Sequence, residues 1–82
     1  MKVSNPWKVK NQFVIELDNG DRVFQSYESI IAIINNKGKV TLGLYWDYSK
    51  TTGKYRNLFL GELKRETEKK IESGEYVVNE NL

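Results

Sequence analysis

A chain of 82 residues, 39% apolar and 29% charged, has room for one thin core that hides roughly 60–65% of its unfolded surface, and it reads as a single domain over 1–82. Histidine and cysteine are both absent, which removes disulfides, Cys/His zinc sites, thiol nucleophiles and Ser–His–Asp triads from the chemistry open to one chain. Thirteen Lys and Arg against eleven Asp and Glu leave a net charge of +2, a smaller excess than a domain gripping duplex DNA through many phosphates normally carries.

In chain order, Met1 to Trp7 lacks the apolar stretch of a secretory signal, and no apolar run approaches the ~18–20 residues that span a bilayer. The expectation is a cytoplasmic protein with no membrane partner. Trp7 beside Pro6 is placed either as a cap on the core or at a subunit contact. Gln12 to Leu17 alternates Phe13, Ile15 and Leu17 against Gln12, Val14 and Glu16, the period of a half-buried strand. Asn19-Gly20 is a strong hairpin signal because both residues tolerate positive φ, and Arg22 to Ser26 returns as the second strand. Ile30 to Ile34 is short and β-branched, which favours a buried strand over a short helix. Asn35 to Gly38 makes a second turn, and Lys39 to Tyr45 a further strand.

From Leu60 the texture changes. Gly61 to Ser73 is rich in helix formers, with Leu60, Leu63, Thr67 and Ile71 on one narrow face and Gly74 at the position of a left-handed cap. The predicted helix spans about 62–73, and Glu75 to Val78 then adds an edge strand. The fold class is α+β: a small antiparallel sheet, a hairpin meander of 4–5 strands, with this one helix in the C-terminal region.

Residues 45–59 carry the chemical information. They hold five of the ten aromatic residues and three bases against one acid. Tyr45, Trp46 and Tyr48 offer rings that stack on a planar ligand, and Tyr27 joins them if the second strand ends nearby. Asp47 suits polar selection, Thr51 and Thr52 offer hydroxyls, and Lys54 and Arg56 suit phosphate. The same residues also fit a plain hairpin turning at Ser49 to Gly53, whose aromatics pair across strands and supply core.

Other features carry less. Gly53-Lys54 resembles the end of a phosphate-binding loop, but the glycine required five residues earlier is Tyr48. Asp18, Asp21 and Glu28 read as a solvated hairpin tip more readily than as a metal site. Glu62 to Glu72 interleaves acids and bases, the pattern of a solvated helix face. With no histidine and no recognisable motif, no catalytic residue, metal or cofactor is assigned.

Three segments carry a resemblance: Gln25 to Ala32, Tyr45 to Asn57 followed by Phe59-Leu60-Gly61, and Ile71 to Tyr76. Over residues 13–78 the chain resembles a family of small phage- or prophage-encoded proteins of unassigned function. Its central segment matches without a departure, and Gly43-Leu44 just before it reads as open to variation. The resemblance implies a phage or prophage context, hence the cytoplasm of an infected or lysogenic bacterial host, and no activity; the absence of a catalytic constellation among the residues makes the expectation a non-enzymatic accessory protein. Such proteins often act by stoichiometric binding. The reading drawn from it is a homo-oligomer that binds a nucleotide-like anion, including a cyclic oligonucleotide of host immune signalling, and so serves as an anti-defence sponge. A protein inhibitor of a host factor and a single-stranded nucleic-acid binding module are the alternatives.

Overall fold

The computed structural model describes all 82 residues. Six strands form one sheet: β1 (Lys2–Ser4), β2 (Gln12–Glu16), β3 (Arg22–Ser26), β4 (Ser29–Ile34), β5 (Val40–Gly43) and β6 (Val77–Asn79), in that spatial order. Helices α1 (Lys50–Leu60) and α2 (Lys64–Ser73) lie in the long connection between β5 and β6. The fold is α+β as expected, with more strands and one more helix than the sequence reading gave.

The meander from β1 to β5 is antiparallel throughout. Asn19-Gly20 turns the β2–β3 hairpin, with Gly20 at φ 94°, and Gly38 at φ 83° closes the next turn. The two tips are tied together, because the Asn36 side-chain amide donates to the Asn19 carbonyl at 2.9 Å and the Asn36 backbone N–H donates to the Asp21 carboxylate at 2.8 Å. β6 departs from the antiparallel expectation: it pairs with β5 in parallel, Leu42 opposite Val78. A parallel return needs a long crossover, and the two helices supply it.

The alternation in β2 was legible, but the helix-covered face is the less apolar one. Gln12 and Val14 are buried there, while Phe13 and Ile15 are half-buried on the other face and Leu17 is exposed. The core row runs Val14, Phe24, Ala32, Leu42 and Val78 across successive strands. Between Phe24 and Gln25 the β3–β4 register shifts, so Ile31 opposes no residue and joins the core as a bulge. The Gln12 amide is fully buried with no partner in the chain for either terminal atom.

Helix α1 packs on β3 and β4, with Thr52, Tyr55, Arg56 and Phe59 buried along it. Phe24 is the centre of this contact, with Trp7 edge-on at 5.6 Å and Phe59 at 5.7 Å between ring centroids. Trp7 also meets Tyr55 at 5.1 Å, which makes it a cap on the core rather than a free surface. α2 begins two residues later than predicted. Of the predicted narrow face, Leu63 is the exposed N-cap of α2, Thr67 is fully buried, Ile71 is half-buried, and Leu60 is half-buried at the end of α1 instead. Gly74 ends α2 at φ 86°, as expected of a left-handed cap. No helix is long and apolar enough to cross a membrane.

Candidate functional site

The 45–59 segment is not a hairpin. Ser49 sits in extended conformation and its Oγ accepts from the Thr52 N–H at 3.1 Å, starting α1 at Lys50. Gly61, at φ 72°, ends it with its N–H on the Asn57 carbonyl. Two threonines and a glycine in the first turn made this stretch a poor helix on propensity alone. What overrides propensity is the buried stripe Thr52–Tyr55–Arg56–Phe59, one face of a 3.6-residue period. That spacing, with a Ser cap before it and a Gly after it, was the available signal.

Helix α1 sorts the predicted site residues other than Trp46 into two clefts beside it, with Ser49 on the rim of both. The first, of about 840 Å³, collects Tyr27, Tyr45, Tyr48, Thr51 and Thr52 together with Asn11, Ser26, Glu28 and Ser29. The three tyrosines are open to solvent at 51%, 50% and 70% of their surfaces. Tyr45 and Tyr48 meet edge to face at 5.7 Å. Tyr27 holds a left-handed backbone, φ 55°, fixed by its N–H on the Asn11 carbonyl at 2.7 Å and by the Gln25 side chain on its own carbonyl at 2.8 Å. A tyrosine in that region carries backbone strain, and the surrounding hydrogen bonds hold it there. Thr52 forms the floor: its hydroxyl is buried between Ser26 Oγ at 3.1 Å and Ser49 Oγ at 3.2 Å. Thr51 beside it is exposed. Asn11, Ser26, Ser29 and Ser49 were not singled out from the sequence, because their polar side chains gain meaning only when the β3–β4 turn meets α1.

The second cleft, of about 960 Å³, contains Asp47, Lys50, Lys54, Arg56 and Lys64. Arg56, expected to meet phosphate, is 1% exposed. Its Nη1 donates to the Trp46 carbonyl at 2.8 Å and to Asp47 Oδ1 at 3.1 Å, and Nη2 donates to Asn57 Oδ1 at 2.9 Å. The guanidinium also stacks on the half-buried Trp46 ring at 5.1 Å. Trp46, Asp47 and Arg56 are thus a brace between the 43–48 turn and α1, and none of them faces the tyrosines. Lys64 completes the brace by pairing with Asp47 at 2.7 Å. Burial pushes the Asp47 carboxyl up, but hydrogen bonds and charge from Lys64 and Arg56 outweigh it and leave its pKa below the usual carboxylate value. Lys54 is exposed, with its ammonium 5.4 Å from the Tyr55 ring.

A second brace fixes α2. Buried Glu62 accepts from Lys70 Nζ and Tyr76 Oη at 2.8 Å each and from the Thr67 hydroxyl. Burial raises the Glu62 pKa and these three hydrogen bonds more than reverse it. For Tyr76, burial and the Glu62 contact both act upward, and the Lys70 pKa is raised by its hydrogen bond to Glu62. The signs give a stability window. Asp47 and Glu62, lowered on folding, stabilise above the unfolded carboxylate pKa of about 4, and that contribution is lost as pH falls through the folded values. Lys70 and Tyr76, raised on folding, stabilise below their unfolded pKa of about 10, and this is lost at higher pH. Urea midpoints are therefore expected to be flat across the neutral range and to drop at both ends. In Glu62→Gln the acid-side drop should shrink; an unchanged profile would mean the Glu62 brace is not formed in solution.

No group of three or more acidic side chains comes together in a geometry that could hold a metal ion. Asp21 instead accepts from the Asn36 N–H, and Asp18 pairs with the N-terminal ammonium. No curated protein and no solved structure matches the chain. One family model matches residues 3–77, almost the whole sheet and both helices. The chain belongs to this family, described as a family of unknown function, DUF8033.

Proposed function

We propose that this protein is a non-catalytic binding module whose tyrosine cleft stacks the base of a nucleotide-like ligand, with the anionic part drawn to the adjoining N-terminus of α1. The observation that carries this reading is the convergence of three solvent-open tyrosines on one cleft otherwise lined mainly by hydroxyl and amide side chains. Aromatic faces give a base stacking energy of roughly 1–3 kcal/mol each, and the surrounding hydroxyls and the Asn11 amide can read its edge. The cleft carries Glu28 and no base of its own, so the phosphate must be met elsewhere. The first turn of α1 has no acidic residue, its leading N–H groups favour an anion, and Lys50 and Lys54 flank it. The resemblance to phage proteins supports a role as an accessory protein of the host cytoplasm, acting as a homo-oligomer that sequesters a signalling nucleotide.

Calorimetry with linear and cyclic nucleotides tests this. Tyr48→Ala is expected to weaken binding by roughly 1–3 kcal/mol without shifting the thermal midpoint, because Tyr48 is exposed and supports nothing in the core. Lys54→Ala should weaken charged ligands only. Affinity that climbs with oligonucleotide length and collapses with salt would assign single-strand binding instead. No heat with any nucleotide, together with one host protein retained from lysate, would reassign the tyrosines to a protein interface.

A further inference from the structure

Tyr27 and Glu28 are the whole of the β3–β4 loop, closed by the Ser26–Ser29 pair. Tyr27 has φ 55°, and Glu28 does not share the left-handed region. This is the signature of a type II′ turn, whose first loop position belongs to glycine. A tyrosine there costs backbone strain that glycine would not. Its N–H bonds the carbonyl of Asn11, itself left-handed at φ 66°, so the backbones of Asn11, Tyr27 and Glu28 are held side by side along one edge of the tyrosine cleft. Glu28 is exposed, enters none of the chain's ion pairs, and is the only charged side chain lining that cleft. We infer that Glu28 sets the specificity of the cleft and that the base it selects is guanine, an assignment that rests on the nucleotide reading of the same site.

Stacking on tyrosine gives affinity but little choice among bases, because every base has a π-face. Choice comes from the polar groups at its edge. A carboxylate only accepts hydrogen bonds, through two oxygens side by side. Among the common bases, guanine alone presents two neighbouring N–H donors on its pairing edge, N1–H and the exocyclic amino group. It can meet both oxygens in two parallel, charge-assisted bonds. Adenine and cytosine place a ring-nitrogen acceptor beside their single amino group, and uracil and thymine flank their one N–H with carbonyls. Each of these sets an acceptor against a carboxylate oxygen, a repulsive element as well as a lost bond. Asn11 is half-buried in the same cleft, and its side-chain amide suits the guanine O6 carbonyl, the acceptor next along that edge. Glu28 therefore acts on the base, while Lys50 and Lys54 beside α1 act on the phosphate, and the two contributions separate in experiment.

Calorimetry at fixed ionic strength compares the monophosphates of guanosine, inosine and adenosine. Inosine keeps N1–H and lacks the exocyclic amino group. Guanosine monophosphate is expected to bind at least about tenfold tighter than either of the others. In Glu28→Gln, on an exposed loop, the guanine preference should fall to within about threefold, with adenosine monophosphate gaining most, because a glutamine amide both accepts and donates. The ratio is the readout, since loss of a carboxylate eases the approach of phosphate for every nucleotide. Lys54→Ala should weaken all three alike and keep the ratio. Tyr27→Gly should melt no lower than the parent, glycine suiting φ 55°, yet bind all three at least about tenfold more weakly. Equal affinities for the guanine and adenine nucleotides, a guanine preference that survives Glu28→Gln, or parent-like binding by Tyr27→Gly would overturn the assignment and leave nucleotide binding itself standing. No heat with any of the three would overturn both.

Discussion

Arg56→Ala is expected to cost about 3 kcal/mol, a large fraction of the roughly 5–10 kcal/mol that hold a domain of this size together. The side chain is 1% exposed, and its removal takes three hydrogen bonds and a cation–π stack at once. The half-buried Trp46 ring and the carbonyl behind it lose their partner, with a cavity in place of the guanidinium. Asp47 keeps Lys64, which holds the loss below that of a fully orphaned buried acid. Lysine at position 56 should recover little, because a point ammonium cannot reach three acceptors that a planar fork meets together. Lys54→Ala, two residues earlier on an exposed face, should stay within about 0.5 kcal/mol. Urea unfolding of the three variants separates the possibilities. Were Arg56→Ala as stable as the parent but defective in ligand binding, Arg56 would be a phosphate contact and the brace an error.

Gly43→Ala should cost a similar amount, about 2–4 kcal/mol, by overpacking. A Cβ on Gly43 would stand 2.0 Å from the Ile30 carbonyl oxygen and 3.2 Å from its carbon. Both atoms are backbone, so no rotamer change relieves the overlap and β5 must part from β4. The Gly43 carbonyl accepts from the Trp46 N–H at 3.1 Å, so the strain enters the turn that carries Tyr45 toward the cleft. Ligand affinity should fall with stability in this variant, unlike in Tyr48→Ala. Gly38→Ala is the contrast: nothing lies within 4 Å of its missing Cβ, and only its positive φ resists, for about 1 kcal/mol. Equal melting curves for Gly43→Ala and the parent would show that β4 and β5 lie further apart than described. Position 43, read from the sequence as open to variation, is closed to every side chain by this one contact.

Local chemistry was enough wherever a few adjacent residues carry the whole instruction. Asn19-Gly20 announces its hairpin, the β-branched Ile30 to Ile34 run its strand, and Gly74 the end of α2, because backbone preference and turn geometry act over two to six residues. The aromatic, hydroxyl and basic character of 45–59 was equally plain. What neighbouring residues do not encode is which face meets which element. Phe13, Ile15 and Leu17 make the more apolar side of β2, yet the helices cover the side with Gln12 and Val14, since a face is chosen by the rest of the sheet and not by one strand. The helix over 50–60 forms against its own propensity because Tyr55 and Phe59 gain burial beside Phe24. Once that helix forms, a periodicity of 3.6 replaces one of 2. Arg56 and Trp46 then turn inward to each other, while Tyr45 and Tyr48 come together with Tyr27, some twenty residues away in sequence and joined to them only through the packing of α1 on β3 and β4.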